Sequence, residues 1–417
     1  AAALVAAASA SAAQGGVRRR ISISGGFELD AVTYAPPAEG LALGEDPIVL
    51  LHGWPESLVT YDLVYERLAR QGFHVVGITF PGFGDSDKPP EGSEVYSVQG
   101  LVKATREALH SLAIEKCILG GHSLGSFVAW EFAAKHPDVV SVLIPIGSAA
   151  TAASPHDLHL LEPYVVAITA FMQANKRKVP LTFAYNNIVG DLYNKKAVPK
   201  AFIGRMVEET RKAPPYVWLA LMQDLIQRND SELLGRITAP TLLLSGASDS
   251  FFTLGMQETM RDQMTAAATV QIVQIPKSGH TPHWEQPELF VRHVTAFVHA
   301  HLGPPVSMPL GPGPISDDQD QERASSSSSS SAFIAITRPH SHMVTRVNGD
   351  FMVLMLTVAM LAYTASLWVI SLMATKRMRL GRTGRGLTDT TPVGQGANEL
   401  TPFMPTKRRY CFGIVSI

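Results

Sequence analysis

The chain has 417 residues, 46% hydrophobic and 17% charged, enough to bury one large core and leave substantial extensions. Lysine and arginine number 35 against 36 aspartates and glutamates, a formal net charge of −1, so nothing recommends a nucleic-acid partner. Two cysteines, Cys117 and Cys411, build neither a disulfide framework nor a zinc cluster, and Cys117, in an apolar run, reads as a buried, inert thiol.

Residues 1–19 are rich in Ala and Ser, and no acid precedes Glu28. They read as a targeting remnant (organelle transit or secretory signal) or as disorder, and an initial Ala suits a fragment or a processed product. From residue 20 to 302 short apolar runs alternate with amphipathic stretches, the signature of a mainly parallel sheet with helices on both faces. Ile21–Ser24 and Phe27–Tyr34 flank Gly25-Gly26 as an opening hairpin. A strand at Ile48–Leu51, a helix near Thr60–Gln71, a strand at His74–Ile78 and a helix at Val98–Leu112 follow. Lys116–Gly120 is a strand, Ser123–Lys135 a helix stopped by His136-Pro137, and Val139–Ile146 another strand.

The alternation breaks over 149–235, where Pro-punctuated helical segments such as Ala201–Arg211 and Tyr216–Gln227 predict an inserted helical cap. It divides the core into 20–148 and 236–302. Most of the cap residues Tyr164, Phe171, Phe183, Tyr185, Tyr193 and Tyr216 read as ordinary core. Thr241–Ser245, a helix near Leu254–Met264, Val270–Ile275 and a last helix at Pro287–His301 resume the pattern. Residues 303–350, Pro-rich and then carrying the serine run Ser325 to Ser331, read as a linker.

Phe351–Ala374 carries no charge. As a helix it would reach about 36 Å at 1.5 Å per residue, against a hydrocarbon core of about 30 Å. It is expected to be a transmembrane helix, followed by a basic tail, 375–417. Lys376, Arg377, Arg379, Arg382 and Arg385 beyond it, against Arg338 and Arg346 before it, would put the tail on the cytosolic or stromal side. The expectation is a single-pass membrane protein, with the membrane as partner through 351–374.

The chemistry is carried by Gly121-His122-Ser123-Leu124-Gly125. Gly-x-Ser-x-Gly between a strand and a helix places the serine on a sharp turn that lifts its hydroxyl clear of the sheet. Ser123 is the candidate nucleophile, with Gly121 and Gly125 admitting the turn. A serine hydroxyl needs a base, and His280, in the loop after the last strand, is preferred to His283. Asp249, the first acid after Thr241–Ser245, is the candidate orienter of the imidazole. The order Ser, Asp, His suits this turn. In His52-Gly53-Trp54-Pro55 a loop amide can face a developing oxyanion, so the amides of Trp54 and Leu124 form the candidate oxyanion hole. His52 and Gly53 support it, as does Pro81 to Ser86. No metal and no cofactor is expected.

Taken together, the His-Gly-Trp-Pro, Phe-Pro-Gly-Phe-Gly-Asp-Ser-Asp-Lys-Pro, Gly-His-Ser-Leu-Gly and Gly-His-Thr-Pro-His-Trp-Glu-Gln-Pro-Glu segments resemble, in this order, the α/β-hydrolase superfamily over roughly residues 20–302. The first, second and fourth resemble epoxide hydrolases and haloalkane dehalogenases, which use an aspartate where this chain has Ser123. His-Gly-Trp-Pro is also similar to cofactor-free haloperoxidases, which share a Ser-Asp-His triad. The resemblance implies an α/β-hydrolase fold and, with serine as nucleophile, cleavage of a small or lipid-like carboxylic ester through an acyl-enzyme. Epoxide, thioester, C–C bond or perhydrolysis chemistry on the same fold, and a triad-retaining small-molecule receptor, are the alternatives.

Overall fold

The computed structural model describes residues 15–37, 46–149, 169–170, 172, 178–190 and 192–303. The chain divides at Met355/Leu356, and every described residue lies before that division.

Eight strands form one sheet. They are β1 (Val17–Ile23), β2 (Phe27–Tyr34), β3 (Ile48–Leu51), β4 (Val75–Ile78), β5 (Cys117–His122), β6 (Val140–Ile146), β7 (Thr241–Gly246) and β8 (Val270–Ile275), in the order β1-β2-β4-β3-β5-β6-β7-β8. β1 and β2 pair antiparallel, as do β2 and β4; the remaining pairs are parallel. β3, β4, β5 and β7 are buried at every residue. That is what unbroken apolar runs require, since parallel strands are covered on both faces.

The helices that position the site are α1 (Tyr65–Arg70), α2 (Val98–Ser111) and α3 (Leu124–Lys135). The Ser97 side chain accepts the Gly100 amide and starts α2. α3 follows β5 directly and buries Phe127, Val128, Trp130 and Phe132. A helix apolar on all sides belongs in the interior, and the stop expected at His136-Pro137 is where it ends. Between β6 and β7 lie α4 (Leu181–Gly190), α5 (Lys200–Thr210), α6 (Pro215–Gln227) and α7 (Ser231–Leu234). α8 (Leu254–Gln263), the short α9 (Pro282–Glu285) and α10 (Pro287–Leu302) complete the described chain.

Two elements depart from the sequence reading. β1 begins at Val17 rather than Ile21 and takes in Arg18 to Arg20. An edge strand tolerates such charges, and here Arg18 meets Asp30 and Asp85 while Arg20 meets Glu28 and Asp87. The single helix expected near Thr60–Gln71 is a 3-10 turn, Leu58–Tyr61, followed by α1. The Tyr61 hydroxyl donates to the Leu51 carbonyl and the Tyr65 hydroxyl to that of Leu58, fixing the turn against the end of β3. Of the residues expected in the cap core, Tyr185 and Tyr193 are exposed and Tyr216 donates to the Pro89 carbonyl. Tyr164 and Phe171 lie outside the described residues.

The expected C-terminal transmembrane helix, and the single-pass membrane placement drawn from it, require correction. Among the described residues no helix is long and apolar enough to cross a membrane. The longest, α10, has 16 residues and would extend about 24 Å, short of a hydrocarbon core of about 30 Å. Residues 351–374 themselves lie outside the described residues. Apolarity over such a run allows a span in principle, but the fold described here supplies none.

Candidate active site

Ser123 sits between β5 and α3 with φ 49° and ψ −115°, a left-handed conformation that side chains rarely adopt. Its amide donates to the Ile146 carbonyl at 2.9 Å, locking the turn to the end of β6. Its side chain makes no capping bond to the helix. Both glycines are needed. A Cβ at Gly121 would overlap the Gly125 carbonyl, and one at Gly125 would stand 2.7 Å from the His52 carbonyl oxygen and closer still to that of Leu51. The strain is held because the neighbouring backbone is packed against β3 and β6, not because the local sequence favours it.

Asp249 follows β7 and His280 follows β8, neighbouring parallel strands whose carboxyl ends share one edge. The ring Nδ1 of His280 lies 3.0 Å from Asp249 Oδ2, and both residues are buried. The other carboxylate oxygen, Oδ1, accepts the amides of Phe251 at 2.9 Å and Phe252 at 3.1 Å. Burial works to raise the Asp249 pKa, but the His280 imidazole and these two amides outweigh it and hold the carboxyl below its ordinary value. Asp249 is therefore ionised, and its two oxygens are fixed by the ring of His280 and by two backbone amides.

His283 does not compete for this role. It lies in α9, wholly buried, with Nε2 3.0 Å from the Thr60 hydroxyl and its ring against Tyr61 and Phe290. Burial pushes its pKa well down, so it is a neutral packing residue. His52 is likewise structural. Its Nε2 accepts the Phe80 amide at 3.0 Å and its Nδ1 donates to the Gly53 carbonyl at 2.8 Å, while burial lowers its pKa to about 4. The Pro81 to Ser86 segment packs on the same loop through Phe83, whose ring centroid lies 5.2 Å from that of His52. Ser86 Oγ donates to the Thr79 carbonyl and accepts the Asp30 amide, and Thr79 Oγ1 accepts the amide of Leu58.

The loop after β3 spends its amides unevenly. The Gly53 amide donates to Glu56 Oε2 at 3.0 Å and the Glu56 amide to the Gly53 carbonyl at 2.9 Å, while Pro55 has none. Among the described residues no acceptor takes the amide of Trp54. Leu124 is the first residue of α3, where a helical amide has no partner within its own helix. The Trp54 indole donates to the Trp218 carbonyl on α6 at 3.0 Å, tying this loop to the helical segment above it.

Three buried side chains with a place here were not picked out from the sequence. Glu56 and His122 face each other, with His122 Nδ1 3.2 Å from Glu56 Oε2. Glu285 accepts the Gly279 amide beside His280 and the Asn194 amide, both at 2.7 Å. The available signal was an acid within each motif, His-Gly-Trp-Pro-Glu and His-Trp-Glu, at sites where burial demands a partner. Cys117 is buried, and burial pushes its thiol up to about 12, as an inert core cysteine requires. No group of residues that would hold a metal ion occurs among the described residues.

The alpha/beta hydrolase fold family matches residues 46–287, more than half of the chain. AB hydrolase superfamily protein YisY of Bacillus subtilis is 26% identical over 246 residues, covering 58% of this chain and 87% of its own length. Epoxide hydrolase 3 of Xenopus tropicalis is 25% identical over 260 residues, 58% of this chain and 68% of its own. Among solved structures, an esterase from Exiguobacterium antarcticum superposes with a TM-score of 0.57 at 19% identity, covering 68% of this chain and 99% of that one, a likeness of fold alone. With its sheet order, its strained serine turn and these relatives, the chain belongs to the α/β-hydrolase fold family and is a hydrolase.

Proposed function

We propose that this hydrolase cleaves carboxylic esters, small or lipid-like, through an acyl-enzyme formed on Ser123. The observation that carries the reading is a serine, not a carboxylate, at the strained turn, together with a buried histidine that packs against the ring of His122, the residue before the serine, and whose Nδ1 is bound by a fixed aspartate. In this reading His280 Nε2 takes the Ser123 hydroxyl proton as Oγ attacks the ester carbonyl carbon. The imidazolium so formed keeps its Nδ1–H on Asp249. The amides of Trp54 and Leu124 receive the developing oxyanion, each contributing about 3 kcal/mol in the transition state. The proton returns from His280 to the departing alkoxide, and a water activated by the same base releases the acid. No step calls on a metal or an organic cofactor.

The epoxide hydrolase relative raises a second chemistry, but opening an epoxide by an enzyme nucleophile forms an alkyl ester on a carboxylate. A serine hydroxyl in that place would give an ether that a water-activating base does not cleave. Fluorophosphonate labelling of the wild-type protein, mapped to Ser123, together with turnover of p-nitrophenyl esters of graded chain length tests the proposal. Labelling at Ser123 with turnover supports an esterase, and labelling without turnover of any ester points to a binding protein. Absence of labelling removes Ser123 as nucleophile.

A further inference from the structure

The geometry points to the buried Glu56–His122 pair as a positioning device: a doubly protonated imidazole that donates one N–H to the loop of the base and the other to the oxyanion loop. Its kinetic consequence rests on the ester-hydrolase reading; its proton arrangement does not.

His122 Nε2 lies 2.9 Å from the carbonyl oxygen of His280. A carbonyl only accepts, so this nitrogen carries a hydrogen. His122 Nδ1 faces Glu56 Oε2, the oxygen that also accepts the Gly53 amide. Burial works to raise the Glu56 pKa, but the His122 imidazole, through its charge and its hydrogen bond, outweighs it and holds the carboxyl well below its ordinary value. Glu56 Oε2 already accepts the Gly53 amide, as a carboxylate oxygen does, and on that arrangement Nδ1 supplies the second hydrogen. The other titratable groups facing the pair leave that charge to His122. His283 and His52 are held neutral by burial, and the buried Tyr61 hydroxyl is pushed well up and stays protonated. His280, whose ring centroid is 4.7 Å from that of His122, has its Nδ1 on Asp249.

The pair thus joins three segments distant in sequence: the oxyanion loop at Gly53, the serine turn through His122 itself, and the base loop at the His280 carbonyl. Gly53 stands between the partners with no room for a side chain, since a Cβ there would lie 2.7 Å from His122 Nδ1 and 3.1 Å from Glu56 Oε2. Trp54 and Leu124, the two proposed oxyanion donors, each lie within two residues of this contact. A shift of about 1 Å in such donors is worth about a hundredfold in rate. Glu56 and His122 touch no reacting atom and act through the groups that do.

The test combines the ring state with kinetics. In 15N-histidine-labelled wild-type protein at pH 7, His122 is expected to show both ring nitrogens protonated; an unprotonated Nδ1 overturns the proposal. Glu56→Gln and His122→Gln are expected to lose about tenfold to a hundredfold in kcat on a p-nitrophenyl ester, with KM within about twofold. The double variant should lose no more than about the worse single, because both changes break one unit. Additive losses, or a loss confined to KM, overturn it. If His122→Gln does not fold, Glu56→Gln and the wild-type ring state decide. Should wild-type protein fail to label with fluorophosphonate, the ester reading falls while the ring measurement still judges the pair. If it labels and His122 proves singly protonated, the pair falls and the ester reading stands.

Discussion

Two histidine–carboxylate pairs meet at His122, the residue before Ser123, and they differ in what burial has done to them. Asp249 and His280 come from loops at the carboxyl edge of neighbouring strands, and the carboxylate is held by His280 and two backbone amides. Glu56 and His122 lie deeper, with both imidazole nitrogens of His122 engaged, one by a carboxylate and one by a carbonyl. The first pair binds its carboxylate through Nδ1, which in the proposed reaction leaves proton transfer to the opposite ring nitrogen. The second is saturated and can only hold. In the proposed reaction the first pair moves a proton, while the second, with both ring nitrogens of His122 engaged, fixes a loop.

The largest effect that would break this contrast is at the serine. Ser123→Ala should lower ester turnover by roughly 10⁶-fold, and His280→Ala should do about the same, because such residues act as a unit. Matched thermal melting curves would show that the fold is kept. Retention of more than a few per cent of wild-type turnover in Ser123→Ala would remove the nucleophile from the mechanism. Asp249→Asn should come next, losing about 10⁴-fold in kcat, since the amide favours the wrong imidazole tautomer. Steady-state kinetics near normal for that variant would mean that another acid orients His280.

The frame itself is tested by Gly125→Ala. The added methyl meets the carbonyl oxygens of Leu51 and His52 on β3 and its loop, so about 3 kcal/mol of stability should be lost in urea titrations. A wild-type midpoint would show that the turn yields where the packing implies it cannot. The smallest effect is spread along the pH axis. His52 is lowered from 6.5 to about 4 by burial, so between those values the unfolded chain binds a proton that the folded chain refuses. Its contribution, about 3 kcal/mol, is full above pH 6.5 and lost as the pH falls through 4. Glu56, depressed from 4.5 to about 2, adds a second loss on acidification from 4.5 toward 2. His52→Gln keeps an acceptor and a donor but does not titrate, so its urea midpoint should fall less between pH 6.5 and 4 than the wild type does. An unchanged slope would mean that His52 titrates freely in the folded protein.

The strands over Ile48–Leu51 and Val270–Ile275 lie where the hydrophobic pattern puts them, and most helices fall within a residue or two of their expected ends. Short apolar runs bounded by turn residues suit strands covered on both faces, as at Ile48–Leu51, which is why the sheet was legible. β1 was read short because Arg18 and Arg19 fell within the stretch, 1–19, read as a targeting remnant, and Arg20 before the first apolar residue. Only the facing Asp30, Asp85 and Asp87 make an edge strand of them. The apolar run at 351–374 differs: composition alone suggested a span there, it lies outside the described residues, and no described helix supplies one.

By itself the sequence determined the class of fold, the serine turn and the three residues proposed to act at it. A strand–Gly-x-Ser-x-Gly–helix junction and the two loops that follow later strands are local patterns with local causes. The tertiary structure alone decided which histidine faces which acid. Glu56, His122 and Glu285 sit in motifs where nothing local distinguishes a partner, and their roles arise from burial, which forces each polar atom to find one across the fold. His280 and His283 are three residues apart and chemically identical in the sequence. One meets Asp249 at the strand edge while the other is sealed against Thr60 and Tyr61, a difference of partner that the packing of the chain decides.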